Sequence, residues 1–226
     1  VGSEMCIRDS DLKAAIRYFK MNDELFDDYK IDVDRVYAGG YSAGAVTAIN
    51  AAYLNEYDEI PTFLYDDYDS IGGLEGLSGN SGYDSSFHGI VNLSGAVGNK
   101  DWIVENDIPI VSMHGNLDDV VPYNDDLVTL FGLNMLVVGS LIIHVTMLQL
   151  GNYSALHTYQ NQGHSPYSDL NFESEFSSSF LYDLVCIDNF ILWYHVFQVS
   201  FFNIQCPIMS TLWCKFILHC SNVKYQ

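Results

Sequence analysis

A serine flanked by glycines, in the segment Gly40-Tyr41-Ser42-Ala43-Gly44, has the type and spacing of a catalytic nucleophile. A short strand-like run at 35–38 precedes the serine, and apolar residues at helical spacing follow it over 46–53. A sharp strand-to-helix turn exposes the serine hydroxyl, and the glycines remove side chains that would clash there. The N-terminus of the following helix favours negative charge that develops beside the serine. The pattern therefore predicts a nucleophilic Ser42, with an ordinary glycine-rich turn as the alternative.

A base and an acid for this serine follow it in the chain. A nucleophilic serine needs a base, and the base needs an acid that orients it. The segment IPIVSMHGNLDDVVPY is a continuous apolar run followed by a loop that contains Asp118, and HTYQNQGHSPY ends a further strand with His164 beside Gly163. The resulting chain order, serine then aspartate then histidine, is one of the orders in which such triads occur. We therefore predict a triad of Ser42, Asp118 and His164.

Together, the three segments resemble the α/β-hydrolases. They resemble most the bacterial carboxylesterases allied to feruloyl-esterase-like and polyhydroxybutyrate-depolymerase-like lipases, over about residues 11–186. The family's His-Gly-x-x-Asp-x-x-Val-Pro pattern matches His114 through Pro122, which assigns the acid to Asp118. The resemblance implies a serine esterase that works through an acyl-enzyme on small or polymeric esters and needs no cofactor and no metal. It also implies an oxyanion-hole N–H at Ala43.

Several residues near these motifs have other expected roles. Tyr41 and Leu117 are expected to line the substrate site without taking part in the chemistry. His114 is expected to hold the turn after its strand, because His-Gly is a strand-end feature in the family that the chain resembles. Asp119 and Asp125 stay open as alternative acids.

The remaining histidines and one acidic cluster carry weaker signals. His88, His144 and His157 lie before or within predicted elements, where surface or core positions are expected. The aspartates of the cluster DDYD at 66–69 could bind calcium weakly, but a solvated acidic loop is the simpler interpretation. The five cysteines show no metal-ligand spacing and no disulfide framework.

Other functions remain open besides the esterase. A serine peptidase of the same fold, a non-catalytic binding module of this fold and an inactive fragment are the alternatives. The second oxyanion donor of this fold normally precedes the helix before the elbow, and nothing upstream of Asp11 provides it. We therefore expect the chain to be the C-terminal part of an esterase that lacks its first strands, with the run 36–38 at an exposed sheet edge.

The elements that must position these residues alternate between strand and helix. Strands are predicted at 89–93, 108–113 and 155–159, and helices at 12–19, 141–150 and 172–185, with the elbow strand and helix between them. These elements predict an α/β fold with a doubly wound, mostly parallel sheet. The acidic, glycine-rich segment 55–87 is expected to lie on the surface as a lid or pocket rim.

Charge narrows the range of partners. Nine lysines and arginines against 29 aspartates and glutamates give a formal net charge of −20. Such a surface repels nucleic acid and anionic membranes, so neither is an expected partner. The acidity and the family resemblance favour a secreted or periplasmic protein, and the oligomeric state stays open.

Both ends differ in composition from the middle of the chain. The leader VGSEMCIRDS, residues 1–10, has the look of translated linker sequence at the end of an environmental gene fragment. Residues 189–226 contain no glycine and no acidic residue but three of the five cysteines. We predict a domain at 11–188 and a tail that is foreign to it; the alternative is a membrane-associating tail, although its apolar run of 13 residues is short for a membrane span.

Overall fold

The computed structural model describes residues 2–70, 72–130 and 133–200. The chain divides into two compact units, Val1–Ser177 and Ser178–Gln226. The helices are α1 (Gly2–Leu25), α2 (Ala43–Tyr53), α3 (Ser140–Gln149) and α4 (Leu170–Ser200). The strands are β1 (Ala38–Tyr41), β2 (Ile90–Leu93), β3 (Ala96–Val97), β4 (Ile110–Gly115), β5 (Asp125–Leu130), β6 (Leu133–Gly139) and β7 (Ser154–Tyr159).

A parallel four-stranded sheet in the order β1-β2-β4-β7 forms the centre of the first unit. All six residues of β4 are buried, as expected for a strand covered on both faces. Helices lie on both faces of β7: His144 of α3 bonds Ser154 on one face, and Phe172 of α4 contacts His157 on the other. The predicted α/β class with a mostly parallel sheet is therefore confirmed.

The elbow strand β1 is the outermost strand of this sheet among the described residues, where it pairs with β2 alone. It begins at Ala38, later than the predicted run at 35–38, because Val33–Arg35 forms a short 3-10 helix that Asp32 caps. Gly39 and Gly40, which precede the serine, therefore belong to the strand.

A second sheet, antiparallel in the order β3-β6-β5, was not predicted from the sequence. Its hairpin strands do not alternate cleanly between apolar and polar residues. Leu127 and Leu136 form a cross-strand pair, and each is about 60% exposed, whereas Val128 and Val138 are buried. Because apolar residues lie on both faces, the periodicity that identifies a half-buried strand is weak here.

The segment 74–86 is fastened to α1 by three cations spaced one helical turn apart. The buried guanidinium of Arg17 donates to the carbonyls of Gly79 and Ser78 and to the side chain of Glu75. Lys13 donates to the Leu74 carbonyl, and Lys20 forms an ion pair with Asp84. Removing the cations would leave several carbonyls without these partners, so the contacts hold this part of the predicted lid or pocket rim against α1.

Helix α1 extends through most of the predicted leader, since it begins at Gly2. Ser10 is buried, and its hydroxyl accepts a hydrogen bond from the Ser78 backbone N–H. The division of the chain at residue 10 stays a prediction, but the last residues of that leader pack against the domain.

Asp9, in the predicted leader, should make the stability of the folded chain depend on pH. Burial raises the pKa of Asp9 from 3.8 to about 7, which the nearby Lys13 partly opposes. The Asp9 Oδ1 atom has no hydrogen-bond partner among the described residues. Between pH 4 and pH 7 the folded state therefore binds more protons than the unfolded state, so this group lowers the free energy of unfolding as pH rises.

We expect Asp9→Asn to be more stable than the parent chain at pH 8, by at most about 4 kcal/mol, and nearly equal to it at pH 4. The measurement is urea unfolding of both chains at the two pH values. A stability difference that is the same at pH 4 and pH 8 would contradict the pKa of Asp9 as its cause.

No helix within the described residues is apolar over enough length to cross a membrane. Residues 201–226, the larger part of the predicted tail, lie outside the described residues, as does the end of its apolar run. The second unit is described only as the continuation of α4 to Ser200.

Candidate active site

The turn between β1 and α2 holds Ser42 in a strained backbone conformation, with φ 54° and ψ −119°. Non-glycine residues rarely adopt a positive φ, and such strain concentrates at functional positions. Ser42 is the N-cap residue of α2, yet its hydroxyl makes no capping hydrogen bond. Its backbone N–H donates instead to the Leu93 carbonyl, at 2.8 Å, which ties the turn to the end of β2. Because the hydroxyl caps no backbone N–H of α2, it is available to another partner.

The two glycines of the motif are not equivalent. A Cβ atom on Gly40 would lie 2.5 Å from the carbonyl carbon of Gly44, where backbone atoms cannot yield without opening the turn. A Cβ on Gly44 itself would meet no atom within 4 Å. The clash that we expected at both glycines therefore exists only at Gly40.

We expect Gly40→Ala to lower the free energy of unfolding by about 1–3 kcal/mol, as overpacking does elsewhere. Gly44→Ala is the matched control, and we expect it to be neutral or to stabilise by up to about 1 kcal/mol, because alanine favours the helix. Urea unfolding of the two variants measures the difference. Equal destabilisation by both substitutions would argue against this account of the elbow.

Asp118 lies in the loop after β4, and its carboxylate is fully buried. Its Oδ1 atom accepts from the backbone N–H groups of Val120 and Val121, at 2.9 and 3.0 Å. Its Oδ2 atom contacts His164 Nδ1 at 2.7 Å and His114 Nε2 at 2.9 Å. All four contacts come from nitrogen atoms, which suits an ionised carboxylate.

These contacts keep Asp118 charged. Burial raises the pKa of its carboxyl, but hydrogen bonds from His164, Val120 and Val121 outweigh the burial, and the pKa lies below its ordinary value. A carboxylate that accepts several hydrogen bonds is favoured in its ionised form.

His164 lies in the loop after β7, which close backbone contacts hold against the loop that carries Asp118. A Cβ on Gly115 would lie within 2.4 Å of the carbonyl oxygens of Gln162 and Gly163, so only glycine permits this approach. The Leu117 N–H also donates to the Gln162 carbonyl, at 2.9 Å. The two loops thus form one edge of the site.

The three predicted residues meet at this edge of the sheet. His164 Nε2 lies 2.8 Å from Ser42 Oγ, and His164 Nδ1 lies 2.7 Å from Asp118 Oδ2. The imidazole therefore bridges the serine and the carboxylate, with 16% of its side chain exposed. The catalytic roles of the three residues remain predictions, for which this geometry is the required starting point.

The other predicted site residues lie around this centre. Tyr41 is 42% exposed, and its ring lies 5.2 Å from the His164 ring, centre to centre. Leu117 is 61% exposed in the loop that precedes Asp118. Ala43 is the first residue of α2, where the backbone N–H has no intrahelical acceptor.

Two residues that the sequence analysis did not single out support the His164 loop. Ser94 follows β2 with a positive φ of 54°, and its hydroxyl lies 3.2 Å from the His164 carbonyl oxygen. The Tyr167 hydroxyl contacts Ser94 Oγ at 2.6 Å and donates to the Met113 carbonyl. Nothing in the local sequence distinguishes Ser94, but Tyr167 follows His164 closely and could have been noted.

The residues given other expected roles are placed apart from the serine. His88 accepts from the Val36 N–H, and His144 bonds the Ser154 hydroxyl. His157 packs among aromatic rings that include Phe172. Asp119 is exposed in the loop, and Asp125 begins β5. Among the described residues, no group of three or more His, Cys, Asp or Glu side chains is arranged to hold a metal.

Comparison with known proteins shows the fold. No protein-family model matches the sequence, and no relative was found among curated proteins. A truncated carbohydrate esterase from gut microbiota has a TM-score of 0.55 and 19% identity, covering 76% of this chain and 66% of that one. A bifunctional GH43-CE protein of Bacteroides eggerthii has the same TM-score and identity, covering 76% and 26%. Native esterase 2 of the planctomycete Thermogutta terrifontis has a TM-score of 0.54 and 16% identity, covering 78% and 63%.

The chain thus spans less than two thirds of the length of each of these three structures. At these identities the likeness establishes the architecture alone. The chain has an α/β fold similar to that of known esterases.

Proposed function

We propose that this chain is a serine hydrolase that cleaves carboxylic esters through a covalent acyl-enzyme on Ser42. The observation that carries the proposal is the 2.8 Å contact between Ser42 Oγ and His164 Nε2, in a strained turn where the hydroxyl does not cap its helix. The similarity in fold to solved esterases supports the choice of an ester substrate. No cofactor takes part in the proposed reaction.

The first half of the proposed reaction transfers the acyl group to the serine. Ser42 Oγ attacks the ester carbonyl carbon while His164 Nε2 takes the hydroxyl proton. Asp118 holds the His164 Nδ1–H and stabilises the imidazolium that forms. The tetrahedral oxyanion accepts a hydrogen bond from the free N–H of Ala43 at the helix N-terminus. His164 then gives its proton to the departing alkoxide, and the alcohol leaves.

The second half of the reaction releases the acid. His164 takes a proton from a water molecule, and the resulting hydroxide attacks the acyl carbonyl. The second tetrahedral intermediate collapses, the bond to Ser42 Oγ breaks, and the serine regains its proton from His164. A carboxylic acid and the free chain are the products, so atoms and protons balance.

Two exposed side chains bound the space that a substrate would occupy. The Tyr41 ring lies beside His164, and its hydroxyl bonds the Ser165 hydroxyl and, more weakly, the His164 carbonyl. Leu117 adds an exposed apolar side chain on the loop that carries Asp118. We propose that the two residues contact the ester without exchanging protons with it.

Hydrolysis of paired chromogenic substrates tests the proposal. We expect the chain to release p-nitrophenol from p-nitrophenyl acetate faster than buffer does, and to leave the matching acetyl p-nitroanilide intact. Faster release from the anilide than from the ester would favour a peptidase. No reaction with either substrate would contradict the proposed enzyme activity of this chain.

A further inference from the structure

A second histidine, His114, contacts the carboxylate of the proposed triad. It is the fifth residue of β4, and its side chain is fully buried. Its Nε2 atom lies 2.9 Å from Asp118 Oδ2 and 3.1 Å from the Val121 carbonyl oxygen. A carboxylate and a carbonyl can only accept hydrogen bonds, so Nε2 must carry the ring proton.

The other ring nitrogen is bound in a way that holds this tautomer. His114 Nδ1 lies 2.7 Å from Ser140 Oγ, and in a neutral ring with its proton on Nε2 the Nδ1 atom accepts, so Ser140 donates to it. The Ser140 oxygen accepts in turn from the Asn92 amide at 2.9 Å. The second hydrogen of that amide goes to Ser112 Oγ at 3.0 Å, and Asn92 Oδ1 accepts the Gly95 N–H. Each member of this buried chain therefore has a partner.

Burial also favours the neutral form of this ring. Burial lowers the pKa of His114, against the opposing attraction of Asp118. A neutral ring donates a hydrogen bond to the carboxylate without adding a positive charge beside it. The Tyr123 ring lies edge-on to the His114 ring, 5.6 Å away between centres.

Two imidazoles therefore share one carboxylate oxygen, Asp118 Oδ2. A hydrogen bond donated to a carboxylate oxygen restricts its orientation and offsets part of its negative charge. We infer that His114 is a positioning residue for the site: together with Ser140 and Asn92 it holds Asp118 and limits how strongly Asp118 attracts the proton of His164. The inference rests on the proposed function of Ser42, Asp118 and His164.

A purely structural role for His114 is the competing explanation, since its contact with Val121 also holds the turn after β4. Such a role would change stability but would not change the protonation of His164 in a folded variant. The groups that face His164 are Asp118, the Ser42 hydroxyl and the Tyr41 ring, with His114 on the far side of the shared Asp118 oxygen. Of these, only His114 would be altered by the test.

The test compares His114→Phe, which keeps a ring but removes the donor, with His114→Gln, which retains a donor near Nε2. His144→Phe is the matched control, because His144 is a partly buried histidine whose Nδ1 atom, like that of His114, contacts a serine hydroxyl. Two quantities are measured in the full chain. One is the second-order rate of Ser42 labelling by a fluorophosphonate, and the other is the pH midpoint of the His164 ring-nitrogen signals in ¹⁵N NMR.

We expect His114→Phe to label Ser42 about 10- to 100-fold more slowly, as loss of one hydrogen bond to a charged group implies. Its His164 midpoint should move upward by about half a pH unit or more, because the carboxylate loses a donor and attracts the imidazolium more strongly. His114→Gln should recover both values to within about threefold in rate and about 0.2 pH unit, given that it restores a donor. His144→Phe should match the parent chain.

A folded His114→Phe chain with an unchanged rate and an unchanged midpoint would overturn the inference. If that variant does not fold, Ser140→Ala decides, because it keeps the ring but removes the hydroxyl that orients it; a smaller upward shift supports the inference, and no shift overturns it. The NMR midpoint does not depend on turnover. A shifted midpoint in a chain whose Ser42 is unreactive would therefore contradict the proposed function while supporting the role of His114.

Discussion

Ser42→Ala is expected to lower the kcat/KM for p-nitrophenyl acetate by about 10⁴-fold or more, because the acyl-enzyme can no longer form. Ser42 is half-buried, and removing its single hydroxyl oxygen leaves at most a small cavity. The variant should therefore fold as the parent chain does. Loss of hydrolysis without loss of stability separates a nucleophile from a residue that merely supports the elbow.

The control for this variant is Ser81→Ala. Ser81 is an exposed serine in the segment that α1 holds, away from the three strand ends that form the site. We expect Ser81→Ala to retain the parent rate. Turnover by Ser42→Ala at the rate of Ser81→Ala would exclude Ser42 as the nucleophile.

Asp118→Asn is the second large effect, with an expected loss of about 10⁴-fold in kcat. All four partners of the Asp118 carboxylate are nitrogen donors, so an asparagine amide finds no acceptor among them. The arrangement that relieves this conflict at His164 moves the ring proton from Nδ1 to Nε2. The imidazole then presents a donor to Ser42 and cannot take its proton.

Comparing two variants at this position separates the effect of charge from that of geometry. Asp118→Glu keeps the charge but moves the carboxylate, whereas Asp118→Asn keeps the shape and removes the charge. We expect Asp119→Asn, in the adjacent exposed residue, to retain the parent rate, and this comparison also tests the alternative acid. If Asp119→Asn lost hydrolysis and Asp118→Asn retained it, the acid would be Asp119 rather than Asp118.

The lowered pKa of Asp118 determines how the stability of the folded chain depends on pH. A carboxylate with a lowered pKa in the folded state stabilises that state above its unfolded pKa, and this stability is lost as pH falls through the folded value. We therefore expect the free energy of unfolding, measured in urea, to fall as acid protonates Asp118.

The residues of the candidate site could be singled out from the sequence because each lies where a local pattern marks the end of a strand. The glycine-flanked Ser42, the apolar run before Asp118 and the short strand before His164 are signals within single segments. Parallel strands end at one edge of a sheet, so residues at their carboxyl ends converge. The structure brings these three side chains into contact through this topology.

The parts that could not be predicted depend on contacts between distant segments. Arg17 reads as one charge on an amphipathic helix, and its carbonyl partners near Glu75 have no sequence signature. Ser94 gains its position from the fold alone. The hairpin of β5 and β6 was missed because leucines on its exposed face hide the alternation that marks a strand.

His114 falls between these two cases. Its place beside Gly115 at a strand end was visible in the sequence, and a role in the turn was expected from it. Its contact with Asp118, four residues later, depends on the loop geometry after β4. A motif thus identified the residue, and only the folded chain identifies its partner.

Mass-spectrometric mapping of a fluorophosphonate adduct tests most directly whether Ser42 is the nucleophile. It identifies the residue that reacts without assuming a substrate. The full chain is labelled, digested and sequenced, with acid-quenched and Ser81→Ala samples treated in parallel. We predict one adduct, on Ser42, that forms in Ser81→Ala and is lost in His164→Ala. A folded chain that hydrolyses p-nitrophenyl acetate while its adduct lies on another residue, or while Ser42 stays unmodified, would contradict the account.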